Sequence, residues 1–523
     1  MARAARPLAA SLALLFSACS GSSGGGGGTE PAYGTPALLW AHGGCFGSWC
    51  QTGWYGSPAV ADLDGDGTPE VIWGSYDVVA LSSSDGSLRW RAAGGSRVFA
   101  SVAVADVDAD GEPEVIAGRG GDELTAYQAD GSLAWTVHPF GAGEVRTLAV
   151  GDLDDDGAPE IVVGRAGAGD VEQLSAFTGA GALVPGWPAR RDGEAGYGWG
   201  MYNQNVALGD LDGNGTLEVI GPTDTHYVTA LDHAGDQLTV NARYAPQTVW
   251  SEVGLNVDDA ADLRGWTDCA TERRGNFALS APAIGDLDGD GVPEIVVVGD
   301  VYDCDADPYR SLYQMPWVLE PDRSRFAGGP YDWTVLPAPE GSAGPRAQDY
   351  DVIEDATANA VLADLDGDGE REILYASYDG RVHALWLDRQ EHGSWPYAVP
   401  GAGVHFASEP AVADLDGDGQ AEVIVTTWGE KARHESGSLL ILDHQGHLKR
   451  SVALPASFPA GGWNGGLGAP TVANIDATPE LEIVVGTSAS GVVAYAVPGS
   501  AGGTILWGTG RGNLNRTGTP VQP

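Results

Sequence analysis

Apolar residues along most of this chain come in short runs, broken by acidic and glycine-rich turns, and one unit recurs. A small apolar run such as Pro58-Ala-Val-Ala or Pro282-Ala-Ile-Gly leads into an acidic loop. A β-branched run follows it, as in Glu70-Val-Ile-Trp, Glu160-Ile-Val-Val-Gly and Glu294-Ile-Val-Val-Val. Next come a third apolar run, a turn and a fourth run, as in Val78-Val-Ala-Leu-Ser-Ser-Ser-Asp-Gly-Ser-Leu-Arg-Trp90. Tyr127-Gln-Ala-Asp-Gly-Ser-Leu-Ala-Trp135 echoes the outer half of that unit. Short β-branched and aromatic runs bounded by Gly, Asp and Asn read as strands, and proline is tolerated at a strand's first residue. No helical period of any length is present. The pattern predicts an all-β chain of four-stranded units.

The acidic loops keep one register. They are Asp62, Asp64, Asp66 and Glu70; Asp106, Asp108, Asp110 and Glu114; Asp152, Asp154, Asp156 and Glu160. The next are Asp210, Asp212, Asn214 and Glu218; Asp286, Asp288, Asp290 and Glu294. Asp364, Asp366, Asp368 and Glu372, then Asp414, Asp416, Asp418 and Glu422, complete seven intact copies. An eighth, degenerate copy has Asn474, Asp476, Thr478 and Glu482, with Pro479 in place of the loop glycine. Successive loops begin 44 to 78 residues apart. The shorter spacing is one four-stranded propeller blade and the larger ones carry insertions, notably residues 241–281 and 301–359. The expected architecture is a β-propeller of eight blades, or seven. Ala37-Leu-Leu-Trp40 is a candidate outer strand to close the ring.

These repeats resemble the FG-GAP and VCBS repeats of bacterial surface proteins and the propeller of integrin α chains. The resemblance covers residues 36–516, and Leu506-Trp507 to Gly518 resembles the closing segment of such arrays. Residues 517–523 are read as a tail. The Phe-Gly and Gly-Ala-Pro tags are eroded here, and the ninth loop position is Glu where integrin loops carry Asp. Integrins and related repeats bind protein or glycan ligands through loops, so the resemblance implies a binding or adhesion scaffold.

The loop spacing carries chemistry of its own. Positions 1, 3 and 5 of a tight loop can turn carboxylates toward one centre. Position 7 adds a backbone carbonyl, position 9 a further carboxylate, and glycine at 6 permits the turn. With hard oxygen donors and no His or Cys, the loops suit Ca²⁺, about seven ions in all. Four carboxylates this close repel one another without a cation. The eighth loop has two carboxylates and is read as metal-free.

Net charge narrows the partners. The chain of 523 residues holds 72 acidic and 27 basic residues, a formal charge of −45. Phosphate backbones and anionic lipid surfaces would be repelled, which argues against nucleic acid and electrostatic membrane docking. Residues 1–18 read as a signal peptide, with Arg3 and Arg6 ahead of the apolar Leu8–Phe16. Phe16-Ser17-Ala18-Cys19 resembles a bacterial lipobox, so lipidation at Cys19 is expected. Residues 19–35 hold a Gly/Ser-rich tether. The expected location is the bacterial cell envelope, as an outer-membrane lipoprotein touching the membrane through its anchor alone, or else secretion. A monomer is expected.

Cys45, Cys50, Cys269 and Cys304 are an even set in an exported chain and read as two disulfides of open connectivity. No Gly-x-Ser-x-Gly, His-Glu-x-x-His or phosphate-loop pattern occurs, adjacent cysteines are lacking, and the ten histidines are scattered. A non-enzyme is therefore expected, with a calcium-dependent polysaccharide lyase on an eight-bladed propeller as the alternative. The two insertions are enriched in aromatics and arginines, among them Trp250, Trp317, Trp333, Arg323 and Arg325. Such residues dominate binding hot spots, so a ligand surface is expected there, with simple coverage of the ring as the competing reading.

Overall fold

The computed structural model describes residues 32–521, apart from 47–48, 51–54, 167–172, 188–199, 205, 225–226, 265–272, 304, 307–309, 340–342, 347–355, 402, 430–432 and 460. Its strands form eight blades of antiparallel sheet, the architecture of a β-propeller. Blade 1 comprises Ala59–Ala61, Glu70–Gly74, Val78–Ser82 and Leu88–Ala92. The second and third of these strands are buried at every position, because blades stack on both of their faces. That is why their sequences are unbroken apolar runs. The fourth strand is mostly exposed, as a rim strand should be. The inner strand is short and built from Ala and Val, small enough for eight strands to converge near one axis.

The same order repeats in blades 2 to 7, whose inner strands are Ala103–Ala105, Glu144–Gly151, Ala207–Gly209, Ala283–Gly285, Val361–Ala363 and Ala411–Asp414. In blades 3, 4 and 5 the fourth strand shrinks to single bridges, Phe177 to Leu183, Leu231 to Gln237 and Leu319 to Arg325. Blade 8 settles the blade count. Thr471–Ala473, Leu481–Gly486 and Val492–Val497 are joined by Ala37–Gly43 from the other end of the chain, with Ala37 opposite Ala496. The candidate closing strand does close the ring.

Two features stitch the blades together. Tryptophans at the outer edge of the blades donate their indole N–H to a turn carbonyl of the next blade: Trp40 to Ser83, Trp90 to Ala129, Trp135 to Gly179, Trp187 to His233. Trp250 to Pro321, Trp333 to Leu387 and Trp395 to His444 continue the belt. Between blades 7 and 8, Arg450 takes the role with the carbonyl of Tyr33. Glycines at several of these turns are obligatory: a Cβ on Gly86 would lie 2.5 Å from Trp40, and one on Gly131 2.5 Å from Trp90.

The second feature fills the channel. Inner strands of a propeller leave backbone N–H groups facing the axis, and a buried N–H without a partner is costly. Thr504–Trp507 pairs with the inner strand of blade 7, and the chain then runs around the inside of the ring. Val472, Val104, Val150, Leu208 and Ile284 donate to the carbonyls of Gly508, Leu514, Asn515, Thr517 and Gly518. Thr517 and Gly518, read from the sequence as the start of a tail, are thus part of this plug. Arg516 and Arg511 are buried in it. The Arg516 guanidinium reaches the carbonyls of Val102 and Gly510 at 2.8 Å, and Glu409 accepts the Arg511 N–H at 2.7 Å. Burial pulls the arginine pKa values down, to about 10 for Arg511 and about 9 for Arg516, while the charge of Glu409 opposes this.

Candidate metal centres

Each acidic loop lies between the inner and second strand of its blade, so all eight stand at the same end of the ring. Their backbone is held by their own acids. Asp62 accepts the N–H groups of Asp66 and Gly67 at 3.2 and 2.8 Å, and Asp66 accepts that of Thr68 at 2.8 Å. Loops 2 to 7 repeat the bond from the sixth position to the first, at 2.8 to 3.0 Å. Neighbouring loops are joined too: Leu217 donates to Leu153, Arg371 to Leu287 and Ala421 to Leu365. An ion held in one loop would therefore stiffen a blade junction.

The fourth position, as well as the sixth, is left-handed. Gly65 and Gly67 have φ of 70° and 86°. In loops 2 and 3 the fourth residue is Ala109 or Asp155, at φ of 61° and 58°, a conformation that L side chains resist.

The ninth-position glutamate has two duties. One oxygen accepts the N–H of the second loop residue in every blade: Leu63 to Glu70 at 3.2 Å, Val107 to Glu114 at 3.0 Å, Leu153 to Glu160 at 2.9 Å. Glu218, Glu294, Glu372, Glu422 and Glu482 do the same at 2.7 to 2.9 Å. The clamp was invisible in the sequence, where this residue reads only as a ligand. The second oxygen remains for an ion in the loops whose ligand group includes the glutamate, whereas that of Glu70 faces Arg89 at 3.8 Å. One ligand atom each from Asp106, Asp108 and Glu114 lie within 4.8 Å of one another. So do those of Asp152, Asp154 and Glu160, of Asp210, Asp212 and Glu218, and of Asp286, Asp288 and Glu294. In loop 1 the group is Asp62, Asp64 and Asp66, and two more groups of this kind occur among the described residues.

Without a cation these sites are electrostatically poor. Burial raises the carboxyl pKa of each ninth-position glutamate, and the loop aspartates push it further while the clamping N–H opposes. Glu160 reaches about 7, Glu294 and Glu422 about 8, and Glu372 about 9. Oδ1 of Asp366 and of Asp416, at the third position of loops 6 and 7, is buried and makes no hydrogen bond. Orphaned oxygens beside other carboxylates fit a hard cation.

The eighth loop is built differently. Asn474 donates its amide to the carbonyl of Thr478 at 2.6 Å, so a hydrogen bond crosses the loop. Glu482 keeps the clamp on Ile475, which shows that the clamp stands apart from the full acid set.

Among the described residues of the two insertions, several of the aromatics and arginines singled out in the sequence turn inward. Trp250, Phe277, Trp317, Phe326 and Trp333 are buried, packed into the core of blades 4 to 6, and Tyr244 is buried with its hydroxyl donating to Asp259 at 2.8 Å. Arg323 and Arg325 are buried as well and clasp Asp262 at 3.1 and 2.6 Å. Coverage of the ring is what these aromatics provide. Trp266, Tyr309 and Tyr350 lie outside the described residues, as do Cys19, Cys269 and Cys304. Cys45 stands directly across a short hairpin from Cys50. Among the described residues no helix is long and apolar enough to cross a membrane.

Fold and site together define an eight-bladed propeller with a ring of acidic loops able to hold metal cations. The FG-GAP-like repeat model matches residues 106–163 and 364–425, which are blades 2 and 6 with the loops that follow into their neighbours. The chain thus carries FG-GAP-like repeats in these segments of an eight-bladed β-propeller. No curated protein sequence matches it. Among solved structures it is similar to the V. cholerae biofilm matrix protein Bap1, at 15% identity and a TM-score of 0.49, over 88% of this chain and 91% of that one. It is also similar to rhamnogalacturonan lyase YesW, at 17% identity and a TM-score of 0.48, over 90% of this chain and 76% of that one. A rhamnogalacturonan lyase of Bacillus licheniformis gives 19% identity and a TM-score of 0.47, over 88% and 75% of the two chains. Likeness this distant says nothing of what the chain binds.

Proposed function

We propose that this protein is an exported, calcium-rigidified propeller serving as a binding or adhesion scaffold for a protein or glycan ligand, tethered to the bacterial envelope through a lipidated Cys19. The supporting observation is the ring of acidic loops, whose carboxylates converge on single centres while their backbones bond loop to loop. Hard oxygen donors in flexible arrangements favour Ca²⁺ over softer metals. The plug supports scaffold rather than cofactor chemistry, because it occupies the axis where a propeller enzyme would seat a prosthetic group. Ligand contacts then fall to the rims and to the clefts between blades. A Cys45–Cys50 bridge closing its hairpin belongs to the same reading.

Each ion that binds only the folded ring adds RT ln(1 + [Ca²⁺]/Kd), about 2.7 kcal/mol at a hundredfold excess over Kd. EDTA should lower the melting temperature, and re-added Ca²⁺ should restore it while Zn²⁺ does not. An unchanged melt in EDTA refutes the calcium reading. Release of new ultraviolet absorbance from uronic-acid polymers would replace the scaffold reading with the lyase alternative. Cys19→Ala should move the protein from the membrane fraction to the soluble one, and a wild type already soluble overturns the anchor.

A further inference from the structure

Against a background of −45, one cavity gathers positive charge. It lies between blades 5 and 6 and encloses about 820 Å3. Blade 5 contributes Met315 and the Pro337-Ala338-Pro339 segment; blade 6 contributes Arg381, His383, Arg389, Glu391 and Pro396. His383 is stacked on Tyr375 at 4.8 Å and sits between two carboxylates, Glu391 at 2.9 Å and Asp379 at 3.3 Å. Burial would lower its pKa, but those two partners more than offset this and hold it up at about 9, so the imidazole is cationic at neutral pH. Three cations thus line the cavity against the single carboxylate of Glu391, with Asp379 beneath them.

Arg389 supplies an independent sign. It occupies the turn between the third and fourth strands of its blade, with φ of 68°. The equivalent turns of blades 1, 2, 3, 4 and 7 place Gly86, Gly131, Gly181, Gly235 and Gly446 in that left-handed conformation, which glycine adopts freely. Blade 5 has Arg323 there, buried and spent on Asp262 and the carbonyl of Val253. Arg389 makes one bond, to the carbonyl of Val335 at 3.0 Å, and its guanidinium stays part-exposed at the cavity wall. A strained residue kept where glycine would serve points to use of its side chain.

We infer that this cavity is a subsite for a carboxylate-bearing sugar, a hexuronate unit of a glycan. Arg381 and Arg389 would take the carboxylate, Glu391 and Gln390 the ring hydroxyls, and the prolines and Met315 the apolar ring face. The volume falls in the range of small-ligand sites, and the lining sets convergent polar and charged groups beside apolar side chains. The inference deepens the scaffold reading above and rests on its glycan branch.

Isothermal titration of the full chain in Ca²⁺ tests it, with glucuronate and galacturonate set against glucose, galactose and glutamate. The uronates should bind saturably and about tenfold or more tighter than the neutral sugars, the loss expected when a charge-assisted bond is removed. Arg389→Gly should weaken the uronates by a similar factor while its melting temperature holds or rises, and Arg381→Gln should weaken them too. Equal binding of neutral sugars, equal binding of glutamate, no sugar binding, or an unaffected Arg389→Gly each overturns the subsite. A glycan array separates the two readings. Capture by wild type and Arg389→Gly alike removes the subsite and leaves the scaffold, whereas a wild type that captures neither glycan nor protein removes the scaffold itself.

Discussion

Asp108→Asn separates a metal loop from a merely acidic turn, because its effect should change sign with calcium. Asp108 Oδ1 accepts the Asp110 N–H at 3.2 Å, and an asparagine keeps that acceptor. What disappears is charge. Oxygens of Asp106, Asp108 and Glu114 lie within 4.8 Å of one another. Two charges at that separation repel by about 1 kcal/mol in bulk water and about 3 kcal/mol at the effective dielectric of a protein surface. Asp108 is exposed, so the lower figure applies. In EDTA the variant should therefore be more stable than wild type, by about 1 kcal/mol. In saturating Ca²⁺ it should be less stable by about 2 kcal/mol, since a hundredfold loss of affinity at one site removes about 2.7 kcal/mol and outweighs the gain of about 1 kcal/mol. Paired thermal melts, with and without EDTA, read both arms; for a chain this long each shift is about 1 to 2 °C. Destabilisation in both conditions would mean the carboxylate acts in the fold alone. The same gain in Ca²⁺ as in EDTA would mean the loop holds no ion.

Ala109→Gly and Asp155→Gly should each raise stability by about 1 kcal/mol by relieving left-handed strain, read by chemical denaturation in Ca²⁺; a loss would show the side chain earns its place by packing. The raised pKa of His383 stabilises the fold fully below its unfolded value near 6.5, and that contribution fades as pH climbs through about 9. The stability gap between wild type and His383→Gln, at fixed saturating Ca²⁺, should shrink across that window; a gap that stays flat or widens refutes the ion-paired imidazole. Deleting residues 508–523 strips partners from the inner-strand N–H groups of five blades, about 1 kcal/mol each. Its melt should fall by many degrees, and a melt unchanged from wild type would show the plug to be dispensable.

The class of fold and the candidate site were legible because both are written locally. A second strand such as Glu160-Ile-Val-Val-Gly is buried on both faces and so reads as an unbroken apolar run, and Asp-x-Asp-x-Asp-Gly sets its own turn within nine residues. Spacing left eight blades or seven, with Ala37–Trp40 as a candidate closing strand, and the pairing of Ala37–Gly43 within blade 8 decided the count. Tertiary structure decided what depends on distant partners. Trp135 reads as one more strand aromatic until Gly179, 44 residues on, is placed under its indole. The Glu114 clamp needs the curvature of the finished loop, and the plug needs a ring whose inner edges are unsatisfied. Trp317 and Trp333 show the limit most plainly. A buried aromatic and a ligand-binding one are the same residue in the sequence, and only the packing of blades 4 to 6 assigns these to the core. Likewise Arg381, His383, Arg389 and Pro337 carry no motif between them. They form one cavity because two blades meet there, and charge that is scattered along a chain becomes a site only when the fold brings it together.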